Sequence, residues 1–115
     1  MILHALDGYD EISLTGAFKV ISNQTEQVLT PEQLGMETVT PASLAGGQTL
    51  DESARIFLNV LNNEATPAQK QAVLANSAMA LLAAGKAESR EEAVALACES
   101  LESGRALGCF KKLIL

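Results

Sequence analysis

A chain of 115 residues with 48% hydrophobic and 19% charged residues is long enough for one domain with its own core and too apolar for a disordered segment. Its formal net charge of −6 argues against non-specific nucleic-acid binding, which needs Lys and Arg to neutralise phosphates, and against docking on an anionic membrane. Aromatic residues make up only 3%, so the core must be built from Leu, Val, Ile and Ala, which suits closely packed helices.

In chain order, Met1–His4 reads as a short buried strand ending at the Asp7-Gly8 turn. Ile12-Ser13-Leu14-Thr15 alternates with period two, the pattern of a half-buried strand. Phe18–Ser22 and Thr25–Leu29 flank Asn23-Gln24 and predict a β-hairpin. From Thr30 onward the punctuation changes. Thr30-Pro31-Glu32-Gln33, Thr49-Leu50-Asp51-Glu52, Thr66-Pro67-Ala68-Gln69 and Ser89-Arg90-Glu91-Glu92 all fit the capping box, in which a hydroxyl and a side chain three residues on satisfy orphan helix donors. Pro31 and Pro67 fall at first helical positions, where a missing N–H does no harm. Gly35 and Gly85 are placed to stop helices in the left-handed conformation.

Three main helices are expected. Asp51–Asn62 sets Ala54, Phe57, Leu58 and Leu61 on one face at helical spacing. Pro67–Ala84 is apolar nearly all round from Val73 and predicts the central, most buried helix. Arg90–Ser103 carries the stripe Ala93, Val94, Ala97, Cys98 and Leu101, with Glu99 and Glu102 outward. Gly104 weakens that helix, and Leu107, Phe110 and Ile114 form a short C-terminal apolar face. Thr38–Thr49, with Pro41 and Gly46-Gly47, is the one loose connector. The fold class is therefore α/β, α+β-like over this length: a few N-terminal strands with a hairpin, packed against three main helices.

Cys98 and Cys109 lie in one helical stretch, about 16 Å apart along an ideal helix. A disulfide needs Cα atoms within about 7 Å, so reduced packing cysteines of a cytoplasmic protein are expected. No basic segment precedes an apolar run, so no secretory signal is expected. The longest uncharged helical run, Gln71–Gly85, falls short of the roughly 20 residues that cross a bilayer.

The candidate chemistry begins with Asp10 and Glu11. Paired carboxylates are hard oxygen ligands suited to Mg²⁺, which takes one or two carboxylates plus substrate phosphates. Neighbouring strand residues point to opposite faces, so both reach one ion only if the backbone bends there, or else two ions are held. A solvated acidic turn is the plain alternative. His4, the only histidine, is a candidate base or ligand, though a lone His at a strand end more often serves nearby backbone. Gly46-Gly47-Gln48-Thr49 precedes a helix but has no Lys after it, so it is a connector rather than a phosphate loop. Asn76 is the one amide in the run Val73–Ala84 and must find a hydrogen-bond partner, expected across a helix interface. Cys98 and Cys109 lack the basic neighbours that activate a thiol.

The segment Asp7-Gly8-Tyr9-Asp10-Glu11-Ile12-Ser13-Leu14-Thr15-Gly16, preceded by Ile2-Leu3-His4-Ala5, resembles the Asp-Gly-Leu-Asp-Glu-Ile-Ser-Leu-Thr-Gly signature of anthranilate phosphoribosyltransferases. Leu29-Thr30-Pro31-Glu32-Gln33-Leu34-Gly35, Leu44-Ala45-Gly46-Gly47, Ala75-Asn76-Ser77-Ala78, Ala84-Gly85-Lys86-Ala87 and Ser103-Gly104-Arg105-Ala106-Leu107 are similar in order and spacing. The chain departs from the family at Ala5, where Gly is usual, and at Ala17-Phe18, where Pro-Thr is frequent. The resemblance implies that residues 1–115 are the C-terminal part of a phosphoribosyltransferase α/β domain of the nucleoside-phosphorylase type. It further implies phosphoribosyl pyrophosphate and anthranilate as substrates of the complete enzyme, Mg²⁺ as cofactor, and Asp10 and Glu11 as its ligands. The family's Gly-Thr-Gly-Gly-Asp phosphate loop has no counterpart here, so this chain alone is expected to be inactive. It should associate with a second copy or with the missing N-terminal portion. The competing expectations are a non-enzymatic helical association module and a piece of a class II nucleoside phosphorylase.

Overall fold

The computed structural model describes residues 1–114. Three strands, β1 (Ile2–Ala5), β2 (Phe18–Ile21) and β3 (Glu26–Leu29), form an antiparallel sheet in the order β1-β2-β3. Phe18 pairs with both Ala5 and Leu29, so the buried ends of all three strands meet. The expected hairpin is present, closed by the Ser22 N–H donating to the Thr25 carbonyl at 2.8 Å. Alternation along β2 buries Phe18 and Val20 against the helices. β1 differs from expectation, because it is an edge strand with Ile2 62% exposed and only Ala5 buried.

A larger correction concerns Ile12–Thr15, which forms no strand. Ser13 is buried along with Ile12 and Leu14, and Leu14 stands at φ +64°, outside any extended conformation. The period-two pattern arose because Ile12 and Leu14 are both anchors of an irregular segment. Their backbone groups are met by an α-helix side chain and a loop N–H rather than by a neighbouring strand.

The helices are α1 (Leu50–Leu61), α2 (Pro67–Ala83), α3 (Arg90–Glu102) and α4 (Arg105–Ile114). Thr49, Thr66 and Ser89 are the N-caps of the first three, each side chain accepting from the N–H three residues on. Thr30 starts only a 3-10 turn, Pro31–Leu34, which Gly35 ends at φ +72°. Gly104 ends α3 and starts α4 rather than merely weakening one helix. α2 buries Leu74, Ala75, Ala78 and Met79, but Val73 is 40% exposed, so it is central without being enclosed. α3 buries its expected stripe at Ala93, Ala97 and Leu101. The stripe expected to bury α1 faces solvent at Ala54, Phe57 and Leu58, the last two 51% and 40% exposed, while Leu61 is half-buried against the core and Val60 enters it. One core cluster joins Ile12 and Leu14 to Phe18, Val20, Leu29, Leu74, Met79 and Leu101. Burying each large side chain there contributes about 1.5–3 kcal/mol. No helix among the described residues is long and apolar enough to cross a membrane.

Candidate functional site

Residues 6–17 join β1 to β2 and carry the Asp10-Glu11 pair. The base of this loop is closed by the Leu6 N–H donating to the Ala17 carbonyl at 3.0 Å. A hydroxyl relay reinforces the closure: Thr15 donates to the Asp7 carboxylate, and Thr15 Oγ1 lies 2.7 Å from Ser13 Oγ. Leu14 is fully buried, and its carbonyl accepts from the Val39 N–H at 2.9 Å. The left-handed conformation costs a leucine about 1–2 kcal/mol, which the burial of its side chain, worth about 1.5–3 kcal/mol, offsets.

The middle of the loop is held from α2. Asn76 Oδ1 accepts from the Ile12 N–H at 3.0 Å, and Asn76 Nδ2 donates to the Ile12 carbonyl at 2.8 Å. Nδ2 also donates to the Ala72 carbonyl one turn back on the same helix, at 2.9 Å. The amide thus spans a loop and a helix, where the sequence had suggested a helix–helix contact. The partner lies 64 positions away, and no local signal identifies it. Ser13, Thr15 and Asp7, which complete the loop's polar closure, were not singled out beforehand; their proximity to Gly8 and Gly16 was the available signal.

Asp10 and Glu11 occupy bends, both exposed. The opposite-face objection for adjacent strand residues therefore does not arise. They line an open cleft of about 390 Å³ with Tyr9, Ile12, Ser13 and Leu44. Glu11 also borders a second cleft of about 420 Å³, whose walls include Ile56, Val60, Val73 and Asn76. Among the described residues neither carboxylate enters an ion pair, and no group of three or more His, Cys, Asp or Glu side chains could cage a metal. Two free carboxylates at a cleft mouth are a fitting donor set for a hard cation that shares its shell with phosphates.

The remaining candidates lie elsewhere. His4 is exposed on β1, in register with Lys19. The Gly46-Gly47 connector is tied to the start of α1: the Gly46 carbonyl accepts from the Ser53 hydroxyl at 2.6 Å, and the Gln48 N–H donates to Glu52 Oε2 at 2.7 Å. Cys98 and Cys109 are free thiols. A hydrogen bond to Glu102 and burial push the Cys98 thiol up, the opposite of activation.

The fold is a small antiparallel sheet covered by helices, with a carboxylate loop leaving its edge strand. Over 96% of its length it matches the crystal structure of anthranilate phosphoribosyltransferase from Thermus thermophilus, with a TM-score of 0.85 and 32% identity, covering 33% of that chain. It also matches the Saccharomyces cerevisiae anthranilate phosphoribosyltransferase determined with PRPP and Mg, with a TM-score of 0.81 and 25% identity over 91% of this chain and 30% of that one. Residues 1–107 match the glycosyl transferase family, a/b domain, and the chain belongs to that family. It is 55% identical over 98% of its length to the anthranilate phosphoribosyltransferase of Cytophaga hutchinsonii and 50% identical over 98% to that of Bacteroides thetaiotaomicron. It spans about a third, 34%, of the length of those curated relatives.

Proposed function

We propose that this chain is the carboxylate-bearing C-terminal part of an anthranilate phosphoribosyltransferase of cytoplasmic tryptophan biosynthesis. The complete enzyme would transfer phosphoribose from phosphoribosyl pyrophosphate to the amine of anthranilate and release pyrophosphate. The observation carrying this reading is 55% identity over 98% of the chain to a relative of that name, with Asp10 and Glu11 standing free at a cleft. In this reading the two carboxylates hold Mg²⁺. When bound, the ion supplies positive charge to the pyrophosphate oxygens, which a chain of net charge −6 does not attract by itself. Asp10 and Glu11 bring oxygen donors to the mouth of the cleft, and the buried Ile12 and Leu14 keep the loop that bears them in place. The exposed apolar face of α1 favours a second reading, a helical association module without chemistry.

A chimera separates the two. These 115 residues would replace the matching segment of the Cytophaga hutchinsonii relative, and loss of anthranilate fluorescence would be followed with phosphoribosyl pyrophosphate and Mg²⁺. Turnover is expected, and Asp10→Asn or Glu11→Gln should lower it by at least about 100-fold, since losing a ligand should cost no less than the roughly 10–100-fold that disturbing a metal's outer partners costs. Both sites are exposed, so the melting temperature should stay nearly unchanged. A stable chimera whose activity ignores both substitutions would return the pair to the role of a solvated turn.

A further inference from the structure

We propose that Asn76 is a positioning residue. Through its two hydrogen bonds to the Ile12 backbone it sets where the neighbouring Asp10 and Glu11 carboxylates stand, and so their affinity for a divalent cation. The proposal rests on the reading that these carboxylates hold Mg²⁺.

The loop has two kinds of anchor. Ile12 and Leu14 are buried, but apolar contact is non-directional and leaves the peptide planes on either side of Ile12 free to tilt. Asn76 engages both backbone polar groups of Ile12, the N–H of the Glu11–Ile12 peptide at 3.0 Å and the carbonyl of the Ile12–Ser13 peptide at 2.8 Å, and hydrogen-bond geometry fixes both planes. The next residue toward the N-terminus is Glu11, with Asp10 beyond it. Tyr9, Asp10 and Glu11 are all exposed, and the arm turns at Gly8, at φ +109°, whose N–H donates to the Ala5 carbonyl at 3.0 Å. On its N-terminal side the arm is tied where the Ala5 N–H donates to the Tyr9 carbonyl at 3.1 Å; on its C-terminal side the Ile12 backbone is the nearest directional restraint, and its N–H belongs to the peptide that begins at Glu11. Asn76 itself is held by its bond to the Ala72 carbonyl on α2, which is packed into the core. Asn76 also lines the same cleft as Glu11. Groups that orient metal ligands in this way typically govern metal affinity by 10–100-fold.

The test uses the 115-residue chain with Mn²⁺ as the paramagnetic probe and inorganic pyrophosphate as the phosphate partner. Asn76→Leu keeps the side chain's size and removes both bonds. Asn76→Asp keeps an acceptor for the Ile12 N–H but turns a carboxylate toward the Ile12 carbonyl, and it serves if the leucine variant does not fold. Each should weaken Mn²⁺ binding by roughly tenfold or more and speed hydrogen exchange at the Ile12 amide. Ala93→Leu, an overpacking change in the second core cluster of Ala78, Ala87 and Ala93, should lower the melting temperature yet leave Mn²⁺ affinity unchanged. Asp10→Asn and Glu11→Gln report on the underlying reading. If they abolish binding while the Asn76 variants bind Mn²⁺ normally, the positioning role is wrong and the metal site stands. Equal Mn²⁺ binding by the unaltered chain and the carboxylate variants, or none by either, removes the metal site and the positioning role together.

Discussion

At Gly47 the backbone sits at φ +87°, and a Cβ built there falls 2.8 Å from Glu52 Cβ and 3.2 Å from the Ser53 nitrogen. At Gly35, φ is +72° and a Cβ meets nothing within 4 Å. The two positions separate conformational cost from steric cost. Gly35→Ala should destabilise the chain by about 1 kcal/mol, the left-handed penalty alone. Gly47→Ala carries that penalty and also pushes against the first turn of α1, so a loss of at least about 2 kcal/mol is expected. Thermal unfolding of the two variants side by side checks this, and equal melting temperatures would show that the connector yields. The tie between Gly46-Gly47 and α1 was invisible in the sequence, where paired glycines read as slack. What makes them rigid is the company of Glu52 and Ser53, which bond back to the loop across a few residues.

Between α2 and α3 the contact depends on small residues. Ala75, Ala78 and Ala93 are each fully buried, so the two helices approach closely there. Ala78→Leu should overpack the seam and cost about 1–3 kcal/mol, read as a lower denaturant midpoint. At the solvent side of the same seam Lys70 Nζ lies 2.5 Å from Glu102 Oε1. That hydrogen bond holds the Glu102 carboxyl below its ordinary 4.5 and the Lys70 ammonium above its ordinary 10.5. A depressed carboxyl stabilises the fold above its unfolded value and loses that contribution as pH falls through the folded one. A raised ammonium contributes below 10.5 and loses it as pH climbs past its folded value. The melting-temperature gap between the chain and Glu102→Gln should therefore close on acidification below 4.5, and shrink in high salt because the pair is exposed. Elements fixed by local chemistry were readable: the caps at Thr49, Thr66 and Ser89, the stop at Gly85, and the hairpin around Asn23-Gln24 all involve partners within a few positions. Ile12–Thr15 was misread because alternation records which side chains are buried, not which backbone groups pair. The Asp10-Glu11 motif was legible as a signature, but the clamp that holds it joins residues 64 positions apart.

For the whole molecule the radius of gyration is 14.3 Å, about 1 Å above the roughly 13 Å of a compact domain this long. The excess reflects an elongated shape, 39 × 30 × 21 Å, and several apolar surfaces are left uncovered. Leu50, Phe57 and Leu58 line one face of α1 with exposures of 86%, 51% and 40%, and Leu113 on α4 is 82% exposed. Phe57 and Phe110 pack edge to face at 5.0 Å and connect the two helices into one apolar surface. Contiguous patches of this kind are uncommon on monomers, and the outer edges of β1 and β3 offer unpaired backbone as well. Sedimentation across a wide concentration range should reveal concentration-dependent association, which Leu50→Glu with Leu58→Glu should reduce without loss of helical circular dichroism. A folded monomer at every concentration would contradict it. The same chain, purified free of host enzyme, should turn over no anthranilate, because rate enhancement requires donor, acceptor and metal to be held together and the carboxylates are the one part of that set assigned here.

The grip of Asn76 on Ile12 has a consequence for how this loop can vary. An amide that bonds the backbone N–H and carbonyl of one residue reads position along the chain, not the identity of the side chain attached to it. Together with the Leu6–Ala17 and Asp7–Thr15 closures, it divides residues 6–17 into spans of fixed length. Substitution within the exposed arm is compatible with all three restraints. Inserting or deleting a single residue between Ile12 and Thr15 would put the Asn76 clamp and the Asp7–Thr15 closure out of step, so that span should accept changes of spelling while resisting changes of length.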